Sequence, residues 1–309
     1  MNKAKKNQGY VYRLQVQDVQ VGESLLNFLA RRFQHSSYDE WKCRLRAGEI
    51  FVDGKVVGED QGIATGARID WHRPGWVEEP TPQHFDLLYQ DEHLLVVSKP
   101  SGLPTMPAGG FLENTLLHLV RTEYGPVQAL HRLGRGTSGV VLFAKTSLAA
   151  SRVTKNWSEC EKSYWALASG RASESSYDIQ QPIGPVAHPR LGTVHAASAN
   201  GKPARSIAKA LRRTEDKTLF EVQLLTGRPH QIRIHLASIG LPLVGDPVYA
   251  SGGGLLIDPG LPSDLGYLLH ARSVTLRHPI TSEQMSFETP LPAELLEFEK
   301  EKRFAHFED

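Results

Sequence analysis

Apolar positions recur at helical spacing in ESLLNFLARRF, where Leu25, Leu26, Leu29 and Phe33 form one stripe and Arg31 and Arg32 fall outside it. Ser37-Tyr38-Asp39-Glu40 has the spacing of a capping box, a serine three residues before a glutamate satisfying the free amides of a helix start. The helix it opens, YDEWKCRLRAG, carries Lys42, Arg44 and Arg46 and should stop at Gly48. A short alternating stretch, YRLQVQ, precedes this pair. EIFVDGKVVGED follows it, two apolar runs about Asp53-Gly54, which predicts a tight hairpin, and ARIDW supplies one more strand. The pattern breaks at RPGWVEEPTPQHF, rich in proline and acid, which reads as a linker.

Beyond it, FDLLYQDEHLLVVSKPSGLP predicts two strands around a polar turn at Asp91-Glu92. ENTLLHLVRTEYG predicts a helix with Asn114 near its start, and SLAASRVTKNWSE a serine-capped one. VQAL, VVLFAKT, SYWALASG, LFEVQLLT and SVTLRHP read as strands, and PHQIRIHLASIG as a helix ending at Gly240. Strands and helices without regular alternation argue for an α+β fold. The expected division is a tail with the first strand over 1–19, a small domain over 20–72, a linker over 73–85, a larger domain over 86–295, and a tail over 296–309.

Composition narrows the picture only a little. A chain of 309 residues with 40% hydrophobic side chains has ample material for a core, so disorder is not expected. With 35 basic and 34 acidic side chains, any nucleic-acid surface must be a local cluster rather than a global field. Two distant cysteines, Cys43 and Cys160, suggest neither a disulfide framework nor a cysteine metal site. The basic start has no apolar run behind it, and nothing approaches the roughly 20 apolar residues that span a bilayer. A reducing, cytoplasmic compartment and no membrane partner are therefore expected, with a monomer as the default.

The chemistry concentrates in HRLGRGTSGVVLFAK, His131 to Lys145, which contains G-x-G-x-x-G at Gly134, Gly136 and Gly139. A dinucleotide loop requires those glycines to turn a strand into a helix whose N-terminus meets the pyrophosphate. Here VVLFAKT, a β-branched strand, follows. A phosphate-binding lysine loop fails too, since no Gly-Lys-Ser/Thr appears. A nucleotide-dependent oxidoreductase would survive only if a helix followed Gly139.

With its flanks, the stretch resembles the active-site motif of the RluA-type RNA pseudouridine synthases: His-Arg-Leu-Asp, two variable residues, Thr-Ser-Gly, then a strand ending Ala-Lys. LLYQDEHLLVVSKPSGLP, KSYWALASG, NGKPARS, TGRPHQIRIHLASIGLPLVGDPVY and LLHARSVTLRHP resemble further blocks of that family in order, over about residues 20 to 295. The resemblance implies a mixed, mainly antiparallel sheet with flanking helices, preceded by a small α/β RNA-binding domain like that of a small-subunit ribosomal protein. It implies an RNA partner, ribosomal or transfer, rather than DNA, and no cofactor or metal. In family terms the substrate pocket falls on Arg132, Tyr164 and Arg228. The family's catalytic aspartate falls on Gly134, and a second acidic position on Gly136.

Isomerising uridine cleaves the N-glycosidic bond, turns the uracil and rejoins it through carbon. A carboxylate can add covalently or act as the base, while an aromatic face and a donor receive a base taken out of its stack. Glycine supplies none of the first. Arg228, the aspartate's expected partner, would then need another anion: a carboxylate such as Asp178 or Asp246, an RNA phosphate on an amide nest, or else water. Two readings follow, an active synthase by another route and a protein that retains the pocket only to hold RNA. Thr137 and Ser138 read as loop scaffolding, His118, His131 and His270 as structural, and Arg31, Arg32, Lys42, Arg44 and Arg46 as phosphate contacts.

Overall fold

The computed structural model describes residues 6–300. The chain divides into two compact units, Met1–Glu78 and Glu79–Asp309. In the first, Ser37 accepts from the Glu40 amide while the Glu40 carboxylate accepts from the Ser37 amide, so the capping box forms as spelled. The hairpin turns on Asp53 and Gly54, both at positive φ (48° and 81°), the conformation that favours Asp-Gly in a two-residue turn. The strand Tyr10–Gln15 pairs antiparallel with Arg68–Arg73, completing a four-stranded sheet. Helices Leu25–Arg32 and Tyr38–Arg46 bury Leu25, Leu26, Phe28, Leu29, Trp41 and Leu45 with Ile50 and Ile69 of that sheet.

The second unit is built on a ten-stranded sheet. From one edge the strands run Ser176–Ile179, Ser206–Arg213, Lys217–Leu224, Glu161–Ser169, Leu269–Arg277, Thr137–Ala144, Leu94–Lys99 and Asp86–Gln90. Short strands Gln128–Ala129 and Gln284–Glu288 pair onto it. The pairings are antiparallel with one exception, Leu269–Arg277 beside Thr137–Ala144. That parallel pair matters for the site. Leu269 stands opposite Thr137, so the segments entering both strands arrive at the same end of the sheet.

The strand Thr137–Ala144 is buried along its whole length, which explains an apolar run without alternation. Because Gly139 lies inside a strand, the dinucleotide-loop reading closes. Gly139 has φ +115°, and a Cβ there would stand 2.2 Å from the Ala271 carbonyl oxygen across the parallel pair. Both faults are backbone faults that no side-chain rotation relieves. Gly139→Ala is therefore expected to lower stability by roughly 1–3 kcal/mol, read as a shift in urea midpoint. An unchanged midpoint would mean that the strands do not approach this closely.

Several expectations need adjustment. The helix over 147–155 is capped by Thr146, whose hydroxyl accepts from the Ala149 amide, and not by a serine. Thr115 caps Leu116–Tyr124, next to the asparagine expected near its start. A hairpin of Ile183–His188 with Gly192–Ala197 went unread, because its strands mix apolar residues with a proline, glycines and histidines. Helix Ala293–Lys300 enters the expected tail and buries Leu295 and Phe298 against Leu167 and Leu219. Residues 301–309 of that tail lie outside the described residues, as do 1–5. No helix among the described residues is long and apolar enough to cross a membrane.

Candidate active site

The loop 131–136 leads into the strand Thr137–Ala144 and is braced from behind by the segment after Leu94–Lys99. Lys99 is buried and donates to the carbonyls of Pro100 (2.9 Å), Leu103 (2.6 Å) and Arg135 (3.3 Å). Burial without a carboxylate pushes its ammonium down to about 7. Ser101 donates to the Gly136 carbonyl, and the Gly102 amide to that of Arg135. Arg135 grips Glu79 with two nitrogens, at 2.7 and 3.1 Å. The sequence signal for this brace was the lysine of VVSKPSGLP, an isolated charge closing an apolar strand.

Arg132 and Gly134 are exposed, while Leu133 and Gly136 to Ala144 are buried. The space a side chain at Gly134 would enter is already taken. A Cβ at Gly134 would stand 3.0 Å from the Tyr267 hydroxyl oxygen, and one at Gly136 would stand 3.0–3.2 Å from Cζ, Cε1 and the hydroxyl of the same tyrosine. Tyr267 lies two residues before Leu269, so the parallel pairing brings it here. Its hydroxyl faces Thr137 Oγ1 at 3.4 Å, at the long end of hydrogen bonding. The tyrosine is 3% exposed.

An arginine does stand beside this loop, but it is Arg233 and not Arg228. The Arg233 guanidinium lies 4.2 Å from the Tyr267 ring centroid and 5.0 Å from that of Tyr249. Its Nε and Nη2 donate to the two oxygens of Asp246 at 2.7 and 2.8 Å, and Nη1 to the Pro262 carbonyl at 3.0 Å. Burial works against the charge, yet the Asp246 bonds and the flanking tyrosines hold it above the ordinary arginine range. Asp246 also accepts from the amides of Val248 and Tyr249 on the oxygen that receives Arg233 Nη2, so four donors hold its carboxylate in place. Arg228, by contrast, is half-buried, and its Nε donates to the Pro203 carbonyl at 3.0 Å. No buried orphan charge arises there, and Asp178 spends itself on Arg205.

The helix Gln231–Ser238 that carries Arg233 is buried from Gln231 to Ala237, and its polar members are matched one by one. Gln231 accepts from the Arg228 amide and the Thr226 hydroxyl and donates to the Arg205 carbonyl and Ser206 Oγ. His235 bonds Ser206 Oγ and the Gln181 carbonyl. His230, at the helix start, holds a left-handed backbone (φ 54°). Tyr249 donates to the His195 carbonyl at 2.8 Å and stands 2.6 Å from His230 Nδ1, so Nδ1 must carry the proton and Nε2 the lone pair. Burial lowers His230 to about 4, keeping it neutral.

Tyr164 lies one strand over, opposite Ala271, packed against both Leu269 and Leu133 clusters. Burial pushes its phenol up to about 12. Ser138 donates into a relay in which His270 Nδ1 stands 2.9 Å from Ser138 Oγ and Nε2 stands 2.8 Å from Thr289 Oγ1. His131 takes the Leu142 amide on Nε2 and stacks on Trp157. These three therefore serve the scaffold. Thr137 alone of the Thr-Ser pair touches Tyr267.

In the first unit, two of the five basic residues expected on RNA are engaged with neighbours of their own unit, Arg31 from an exposed position and Arg44 from a half-buried one. Arg31 pairs with Glu23 at 2.6 Å and reaches the Asp18 carbonyl, and that pairing pulls Glu23 down to about 2. Arg44 is wedged 4.5 Å from the ring centroids of both Trp41 and Trp71 and donates to Ser36. Arg32 and Arg46 are exposed and Lys42 half-buried.

A mixed, mainly antiparallel sheet with a loop and a buried arginine meeting at the ends of its one parallel strand pair defines the fold class of a pseudouridylate synthase domain. The chain belongs to the RNA pseudouridine synthase family, of the RluA type. The family model for RNA pseudouridylate synthase matches residues 93–238. An uncharacterised RNA pseudouridine synthase of Synechocystis is 38% identical over 88% of this chain and 95% of its own. The rice protein RNA pseudouridine synthase 5 is 34% identical over 92% and 86%. Ribosomal large subunit pseudouridine synthase D of Pseudomonas aeruginosa is 32% identical over 89% and 90%. The solved structure of human RNA pseudouridylate synthase domain containing 4 matches with TM-score 0.53 and 26% identity, over 68% of this chain and 90% of that one.

Proposed function

We propose that this protein isomerises uridine to pseudouridine within a structured RNA, ribosomal or transfer, as a monomer and without a cofactor. The carrying observation is that the likeness runs through both units and through 95% of a relative's length, rather than resting on one motif. The geometry supports it further. The loop of Arg132 and Gly134 is open to solvent, rigidly braced behind, and backed by a tyrosine and an arginine. Arg132, exposed two residues before Gly134, is placed to meet an RNA phosphate or a displaced base. Arg32, Lys42 and Arg46 remain the phosphate contacts of the first unit.

The test is direct. Purified protein incubated with total RNA lacking modifications should generate pseudouridine, counted by nucleoside mass spectrometry. Tight RNA binding with no product over background would instead make it a protein that holds RNA.

A further inference from the structure

If the family's carboxylate position is a glycine, some other group must attack. Among the described residues, the oxygens nearest the missing Cβ are the Tyr267 hydroxyl at 3.0 Å and Thr137 Oγ1 at 3.5 Å. Asp246 is held on Arg233 and two amides, and none of its atoms lies within 4 Å of that Cβ position. Asp178 is held in an exposed pair with Arg205.

The geometry points to Tyr267 as the nucleophile of this site, its phenolate oxygen replacing the carboxylate that Gly134 lacks. The inference rests on the synthase reading. Three features favour it over a ring that merely fills space. The ring faces a guanidinium at 4.2 Å, a contact that fixes the orientation of the ring. That guanidinium is fixed from the other side by Asp246 and Pro262, so it cannot swing away. Finally, the oxygen ends beside an exposed glycine: Gly134 is open to solvent, and its Cβ position lies 3.0 Å from the hydroxyl of the buried tyrosine. Gly136 has its own part, since a Cβ there would crowd the ring at 3.0–3.2 Å. The two glycines are thus the complement of the tyrosine. One leaves room for the ring and the other for its oxygen.

The step balances without a co-reactant. Tyr267 gives its phenolic proton to solvent, and the phenolate oxygen bonds to ribose C1′ as the C1′–N1 bond breaks. That electron pair leaves on N1 of the uracil anion. The uracil turns, its C5 bonds to C1′, and the C1′–oxygen pair returns to Tyr267. C5 then loses its hydrogen as a proton, restoring the C5–C6 double bond, while N1 gains one. The product is an isomer of the substrate, and the phenol regains its proton. Aryl oxygen is an accepted nucleophile at an anomeric carbon, as in tyrosine-dependent sialidases.

Tyr267→Phe keeps the ring, its packing and its guanidinium contact and removes one oxygen. Pseudouridine formation should fall at least about a hundredfold, with RNA affinity and melting temperature unchanged. In the unaltered protein the single-turnover rate should climb with pH above neutrality, as the phenol must ionise. A Tyr267→Phe protein that turns over at the original rate overturns the inference while leaving the synthase reading intact. A rate flat with pH does the same, and it needs no variant. No product from the unaltered protein would overturn the synthase reading itself, and this inference with it.

Discussion

Asp246→Ala is expected to cost about 3–5 kcal/mol of stability, the penalty for leaving a buried guanidinium unpaired. The Arg233 and Asp246 side chains are 3% and 1% exposed, and their two parallel bonds of 2.7 and 2.8 Å are the ones lost. The Val248 and Tyr249 amides would lose their acceptor as well. Asp178→Ala is the control. Its bond to Arg205 is just as short, 2.8 Å, but the side chains are 41% and 50% exposed. Solvent screens such a pair, and removing it should leave the urea midpoint nearly unchanged. Urea unfolding of both variants against the parent decides the matter. Equal losses would mean that water reaches Arg233.

Acid should unfold the protein progressively between the ordinary histidine value of 6.5 and about 4. Burial first, with neighbouring cations second, lowers His131, His230 and His270 each to about 4. Each folded value lies below the unfolded one, so within this window the unfolded chain binds protons that the native chain refuses. Stability is complete above 6.5, declines as pH falls toward 4, and levels below it. Each group contributes up to about 3 kcal/mol, so the three together should remove several kcal/mol. Lys99, lowered from 10.5 to about 7, gives the same sign of slope in the alkaline window between those values. Urea midpoints at about pH 7.5, 5.5 and 4.5 test the acid limb. A midpoint that held steady would show these histidines to be protonated in the native state.

What the sequence disclosed depended on how local the physics was. The capping box at Ser37 and the Asp53-Gly54 turn are decided within four residues and form as written. The strand after Gly134 was legible because a β-branched run does not suit a helix. The helix cap at Thr146 was misplaced by one residue, since neighbouring Ser147 has a competent oxygen too. The site was less legible. Arg228 and Arg233 lie five residues apart in TGRPHQIR, and only the fold decides which turns toward the loop. A usable signal existed: Arg233 sits between Ile232 and Ile234 in a helix of low polarity, where a charge needs a partner. Tyr267 offered no local signal. Its meaning comes from a strand register joining residues 130 positions apart.

That register also sets an order of events. The loop at Gly134 and the tyrosine that fills it meet only when Leu269–Arg277 slots between two strands made long before, Glu161–Ser169 and Thr137–Ala144. Closing a connection of this length is slow, and until it closes the flanks of the central gap present unpaired backbone. During synthesis the nascent chain therefore carries a split sheet with two raw edges. The segment leading into the keystone strand that mends it also brings Tyr267 to Gly134, so a half-made chain lacks the finished site whatever its first unit already holds.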